Sequence, residues 1–463
     1  MKRFLKWTGL IILVLLFLAL SYILYFFPPV MTGMDAKVMC SCVYVAGRTP
    51  ESVKQKELQV FPGLTLARFT FNHADSSVSA SLLWKTSKAI YRKGLGCTLL
   101  AEQDESTVRA QTIRAAVLSD PISQDTIDWP LGNRLSVSPI PGVDLNDVKK
   151  AIDNAFTDSD PEKPLFTHAI VVVHNGRIIG ERYADGMNYN TRLMGWSMTK
   201  SVVNALVGLL VKDGKLKVSD PAPIQEWQSD DRRKITVNDL LQASSGLTWS
   251  ESYFIPTSDF HTMFIRRDDK AGFAASRDLE HPPGTFMEYS SGTSNILSRI
   301  VRQELGDEYH AFPYARLFQK IGMYTALMEP DASGTFVASS YCFASARDWA
   351  RFGLLYLNDG TFNNERILPE GWVEYSTTPA PAAPKGQYGA QIWLNAGEKT
   401  NPSNRREPDL PPDAYFFEGF EENTIAIIPS KNLVVVRLGV THNGNFDLAK
   451  LVTDVIKAIP QTN

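Results

Sequence analysis

An uncharged stretch runs unbroken from Trp7 to Phe27, behind Lys2, Arg3 and Lys6 and ahead of Pro28-Pro29. As a helix rising about 1.5 Å per residue it reaches roughly 30 Å, the thickness of a bilayer's hydrocarbon core. Cleavable signals have a shorter apolar core, about 7–15 residues, and a small-residue cleavage site. Here the exit carries Tyr22, Tyr25, Phe26 and Phe27, residues of an interfacial belt. The pattern predicts a retained single-pass anchor over residues 1–30, crossing the membrane through residues 7–27. Its basic flank stays in the cytoplasm, which in a bacterium makes an inner-membrane protein with the remaining chain in the periplasm.

After the anchor the periodicity changes. Residues 31–120 read as a small β-rich region, with strand-like Val43–Val45, Leu64–Phe71, Val78–Trp84 and Thr98–Leu100 and turns at Pro62-Gly63 and near Asn72. Prolines 121, 130, 139 and 141 punctuate a linker over 121–144. The main domain, 145–463, opens with a helix at Leu145–Phe156. A hairpin follows, Ala169–Val173 and Arg177–Tyr183 joined at Asn175-Gly176. Helical spacing governs Met198–Asp213, Val237–Ala243, Ser294–Leu305 and Ala346–Asn358. Strands return at Gln391–Leu394, Thr424–Ile428 and Leu433–Leu438, before a last helix at Asp447–Ile459. Strands, a helical block, then strands predict an α+β fold whose antiparallel sheet takes strands from both ends of the domain, with helices packed around it.

Composition removes some functions. With 463 residues, 44% hydrophobic and 21% charged, the chain has the make-up of a globular protein. A net charge of −3 without a long basic run argues against a nucleic-acid partner, since phosphate binding needs clustered Lys and Arg. The four cysteines, 40, 42, 97 and 342, lack paired C-x-x-C spacing, and no H-E-x-x-H or similar metal motif occurs. An oxidising compartment allows a disulfide between Cys97 and either Cys40 or Cys42; buried free thiols are the alternative.

The chemistry centres on Gly195-Trp196-Ser197-Met198-Thr199-Lys200-Ser201, where the hairpin region hands over to an apolar helix. Residues i and i+3 share a helix face, so Ser197 and Lys200 are neighbours. A serine hydroxyl needs a base, and a lysine serves only when desolvation or nearby positive charge lowers its pKa. The following run of Val202, Val203, Ala205, Leu206 and Val207 would supply that desolvation, and the helix N-terminus offers N–H groups to an oxyanion.

Ser197-Met198-Thr199-Lys200, then Ile235–Leu241 with Ser244-Ser245-Gly246-Leu247, then Pro283-Gly284-Thr285 with Tyr289-Ser290-Ser291, together with Ala344–Gly353, resemble the penicillin-recognising serine hydrolases. The resemblance covers about residues 145–460. It is nearest the branch of 6-aminohexanoate-dimer hydrolases and esterases, and it implies a class C β-lactamase-like fold and acyl transfer to water with no metal or cofactor. Under it Ser197 forms an acyl-enzyme and Lys200 shares in its deprotonation. Tyr289 acts as general base and then acid, as a tyrosinate beside a lysine ammonium. The oxyanion donors are the backbone N–H groups of Ser197 and Asn423.

The sequence departs from the family at two places. Ser291 stands where the tyrosine motif usually has Asn, and Gly419-Phe420-Glu421-Glu422-Asn423 replaces the Lys-Thr-Gly or Gly-His-x-Gly-Gln strand. The cationic or imidazole contact to a substrate carboxylate is lost, and the two acids would repel an anionic substrate. Ser291, Phe420 and Trp393 are the expected substrate contacts, for a small-molecule or short peptide-like amide or ester. Two other readings stand beside this one: a β-lactamase or D-alanyl-D-alanine carboxypeptidase, and a non-catalytic envelope protein binding peptide or cell-wall fragments.

Overall fold

The computed structural model describes residues 2–60, 63–111, 124–136, 138, 140–158, 160–442 and 444–460. Pro62, Pro121 and Pro139 of the sequence reading lie outside the described residues.

Helix α1 (Lys2–Tyr44) does not stop at Pro28-Pro29 as predicted but runs through both. A proline inside a helix leaves the carbonyl four residues earlier without its N–H partner. For Pro28 that carbonyl is Leu24's, and the Trp84 indole donates to it at 2.8 Å. The helix changes character here: residues 6–25 are exposed, residues 28–42 buried. The predicted strand at Val43–Val45 is therefore the end of α1 and the turn after it.

The buried half of α1 packs on an antiparallel sheet of β1 (Arg68–Asn72), β2 (Ser77–Leu82), β3 (Lys85–Arg92) and β4 (Gly96–Leu100), in that order. Strand β3 was not predicted, because its Lys-Thr-Ser-Lys start carries no apolar alternation. A disulfide joins Cys40 of α1 to Cys97 of β4, while Cys42 and Cys342 are buried thiols. Crossing a sequence separation of 57, it raises stability by about 4 kcal/mol through unfolded-chain entropy. A buried ion pair of Lys37 with Glu329, shared with Ser41, ties the same helix to the main body.

In the main body, α2 (Leu145–Asn154) precedes the hairpin of β5 (Thr167–His174) and β6 (Arg177–Tyr183). Asn175 and Gly176 have φ of 51° and 73°, the left-handed pair of a tight hairpin turn. Next come α3 (Met198–Lys212), α4 (Ser291–Leu305), α5 (Ala346–Leu357) and the strands β7 (Trp393–Leu394), β8 (Tyr415–Gly419), β9 (Asn423–Ile428) and β10 (Leu433–Gly439). Helix α6 (Leu448–Ala458) follows them. The sheet order is β7-β8-β9-β10-β5-β6, antiparallel throughout, with strands from both ends of the domain as expected. Helices α2 and α6 cover one face through Val148, Ile152, Val452 and Val455. On the other face α3 and α5 pack, α5 so closely that a Cβ at Gly353 would lie 2.6 Å from Val434.

Candidate active site

Ser197 sits at a sharp corner. The short strand Leu193–Met194 ends, Trp196 takes a left-handed φ of 47°, and α3 begins at Met198. A side chain there costs about 1 kcal/mol. It is held by aromatic packing, with Phe420 and Tyr341 at ring distances of 5.6 and 6.3 Å from Trp196. The corner delivers Ser197 to the wall of a cleft of about 420 Å³, lined also by Tyr253, Phe254, Tyr289, Trp393 and Phe420.

One turn into α3, Lys200 is buried, and its Nζ meets three oxygens: Ser197 Oγ at 2.9 Å, Ser339 carbonyl at 3.1 Å and Ser291 Oγ at 3.2 Å. Burial lowers its pKa to about 8, against the opposing pull of Glu251. An ammonium donates to all three oxygens. A neutral amine has two N–H donors and one lone pair, and the neighbours fit that state also. The Ser339 carbonyl can only accept; Ser291 spends its own proton on Glu251, at 2.5 Å, and therefore accepts from Lys200. The lone pair is left facing the Ser197 hydroxyl.

Glu251 is the residue the sequence reading missed. Its carboxylate takes the Ser291 hydroxyl, the Ser291 N–H at 2.9 Å and the Trp249 indole at 2.5 Å. It lies in a loop 40 residues before Ser291, with no spacing rule to reveal it. Ser291 is accordingly not a cleft-lining substrate contact: it is buried behind Lys200 and links that amine to Glu251.

Tyr289 stands over Lys200, with Nζ 4.8 Å from the ring centroid, and stacks on Trp393 at 5.2 Å. Burial pushes its phenol well above the ordinary tyrosine value, a rise opposed by a hydrogen bond with Ser197. Burial thus favours the neutral phenol at Tyr289, where the sequence suggested a tyrosinate, and eases deprotonation of the Lys200 ammonium beside it.

The 419–423 hairpin differs most from expectation. Asn423 does not line the Ser197 cleft. Its carboxamide donates to the carbonyls of Phe420 and Gly439 and accepts from the Gly439 N–H, which turns it toward a small cavity on the far side with His168 and Glu57. Gly419 is the residue that abuts the nucleophile's corner, since a Cβ there would lie 2.1 Å from the Gly195 carbonyl. Along β8 the Ala414 carbonyl accepts from Asn395 on the β7 side, and backbone groups alternate direction residue by residue. Even-numbered positions of the strand therefore face that edge, and Phe420 follows directly after it, among the residues that line the cleft with Ser197. Phe420 and Trp393 both line the cleft.

Glu421 and Glu422 adopt left-handed φ of 64° and 62°, and buried Arg437 fastens the turn by donating to both carbonyls at 2.9 and 3.1 Å. Burial raises the Glu421 carboxyl well above the usual range and raises that of Glu422 also. Glu418 is paired with Arg406, whose guanidinium lies 4.7 Å over Trp393.

An antiparallel sheet fed from both ends of the domain, with a Ser-x-x-Lys pair at the head of its buried helix, defines a serine hydrolase of the β-lactamase type. The beta-lactamase family matches residues 160–455, and the chain belongs to it. It is similar to the 6-aminohexanoate-dimer hydrolase of Paenarthrobacter ureafaciens, 25% identical over 51% of this chain and 66% of that protein. It is also similar to the D-aminopeptidase of Brucella anthropi, 25% identical over 36% of this chain and 33% of that one. These matches span less than two thirds of either relative. Among solved structures, a putative 6-aminohexanoate-dimer hydrolase from Bacillus anthracis shares the fold. Its TM-score is 0.54 at 23% identity, covering 68% of this chain and 83% of that one.

Proposed function

We propose that the protein hydrolyses a carboxylic ester or amide through an acyl group carried on Ser197. The observation that carries this reading is the buried Lys200 Nζ lying 2.9 Å from Ser197 Oγ; once neutral, that amine can turn its lone pair to the hydroxyl. Lys200 takes the hydroxyl proton as Oγ attacks the carbonyl carbon. The N–H groups of Ser197 and Phe420 receive the oxyanion, Phe420 standing in for Asn423. The proton passes by way of the Tyr289 phenol to the departing alcohol or amine. Water then repeats the steps against the acyl-enzyme and frees the acid. The Ser291–Glu251 link holds Lys200 in position throughout. The substrate is a small-molecule or short peptide-like amide or ester, in keeping with relatives named as hydrolases of an aminohexanoate dimer and as an aminopeptidase.

Helix α1 is apolar and long enough to cross a membrane; we read it as a single-pass anchor holding the domain in the periplasm. The rebuilt 419–423 hairpin gives a second reading some weight, a binding protein without turnover. Steady-state hydrolysis of p-nitrophenyl butyrate, its anilide and nitrocefin by the wild type and by Ser197→Ala separates these. Turnover of the ester or anilide that is lost in the variant is expected. Equal rates in both proteins would remove the hydrolase reading, and a clear preference for nitrocefin would restore the β-lactamase one.

A further inference from the structure

Helix α1 leaves the body at one place, and the cleft opens beside it. Residues 6–25 are exposed, Phe26 and Phe27 half-buried, and everything from Pro28 to Cys42 is covered. Two loops touch the helix just before it enters the body. In the turn between β2 and β3, the Trp84 ring stacks on Tyr25 at 5.8 Å and its indole holds the Leu24 carbonyl. In the 252–257 loop, Thr257 Oγ1 lies 3.4 Å from the Tyr22 hydroxyl. Tyr22 comes five residues before Phe27, about 7.5 Å along the axis, so this loop reaches past the point where the helix enters the body.

Both loops carry large apolar side chains that stay mostly exposed. Leu83 is 70% exposed, Trp84 57%, Phe254 77% and Ile255 50%. A soluble surface seldom leaves such a cluster open, whereas a ring of Trp, Tyr and aliphatic groups around an apolar helix is what a bilayer interface favours. Arg266 places its guanidinium 5.6 Å over the Phe26 ring, a cation at the level where anionic headgroups would lie. Phe254 belongs to this rim and also, with Tyr253, lines the cleft of Ser197. The rim and the mouth of the cleft are therefore continuous.

We propose that the cleft opens onto the bilayer that α1 crosses, and that its substrate is an amphiphile resident there, a long-chain acyl ester or amide. This rests on the hydrolase reading above and on α1 as a span. The hydrocarbon chain would stay against Phe254, Tyr253 and Phe420 while the carbonyl rises to Ser197. Oγ bonds the carbonyl carbon, the bond to the leaving oxygen or nitrogen breaks, and that group departs with the proton from Ser197. Water then releases the fatty acid, so the products are one carboxylic acid and one alcohol or amine. The arrangement selects for substrates that partition into the membrane and against those that stay in water.

The test uses the full chain in vesicles of phosphatidylcholine and phosphatidylglycerol. The double variant Leu83→Asp, Ile255→Asp alters two exposed rim residues outside the cleft. It should lower kcat/KM for vesicle-borne p-nitrophenyl palmitate about tenfold and that for dissolved p-nitrophenyl butyrate by less than about twofold. Equal losses on both esters, or none on palmitate, would overturn the proposal. Failure of the wild type to turn over either ester sinks the hydrolase reading and the substrate half with it. Docking is read separately, from an environment-sensitive fluorophore at Ile255→Cys with Lys149→Cys as the distant control. Blue-shifted emission at 255, quenched by nitroxide-labelled lipid, is expected. Water-like emission there would overturn the docking whatever the activity.

Discussion

The two walls of the cleft have been treated differently. On one side, half-buried Ser197 and Tyr289 face the cleft over buried Lys200, which is bonded to three oxygens, while Tyr289 stacks on Trp393. On the other, in the 419–423 hairpin, two glutamates at left-handed φ stand where glycine is easiest, and a buried arginine holds their carbonyls. The first wall depends on side-chain chemistry, which tolerates no exchange. The second contributes a backbone N–H and a surface, which survive a change of side chain if the turn is fastened by other means. Under the proposed mechanism, the contrast teaches that reaction and recognition can diverge at one site: the catalytic groups stay while the substrate contacts are rewritten, from a cationic or imidazole group to Phe420.

Substitutions on each wall sharpen that contrast. The largest effect is expected at Lys200→Ala, which removes the base. Its kcat for p-nitrophenyl butyrate should fall by about 10²–10⁴-fold with little change in KM. Next comes Tyr289→Phe, where the leaving group decides. An anilide needs a proton on its departing amine, so hydrolysis should fall about 10²-fold, whereas p-nitrophenolate leaves unaided and its release should change far less. Equal losses on both substrates would remove the phenol from the proton path. Glu251→Gln should act more gently and in a particular direction. The Glu251 charge opposes the lowering of the Lys200 pKa, so its removal should move the midpoint of the pH–rate profile to lower pH while the Ser291 contact persists. A shift to higher pH would contradict the link. Smallest of all, Glu422→Gly relieves a left-handed side chain and should raise stability by about 1 kcal/mol, read as a modest rise in Tm with activity retained. A loss of activity would mean that the second wall uses its side chains after all.

The wall that carries the chemistry was also the more legible in sequence. Ser197 and Lys200 announce themselves by i,i+3 spacing at the head of an apolar helix, and Asn175-Gly176 fixes a hairpin by turn chemistry alone. Other features depend on contacts distant in the chain. Pro28-Pro29 reads as a helix end until Trp84, 60 positions after Leu24, is seen to occupy the freed Leu24 carbonyl. Strand β8 leads directly into Phe420, yet Tyr415–Gly419 gave no periodic signal because it is apolar along most of its length. Asn423 lies in the same hairpin but outside the Ser197 cleft, its carboxamide bonded to Gly439 of β10, a contact that composition does not reveal. Glu251 had no local signature, and Ser291 matched the motif position while performing a different task.

The most direct test of a lysine amine activating Ser197 is the pH dependence of fluorophosphonate labelling, followed by intact mass on the full chain beside Ser197→Ala. A neutral amine is required, so the rate should climb about tenfold per pH unit below the Lys200 pKa and level off above it. The midpoint should fall near pH 8, where burial puts that amine, with one adduct that is absent from the variant. Absence of a Ser197 adduct on folded protein, or a rate still climbing through pH 10 as an ordinary lysine would dictate, would contradict it.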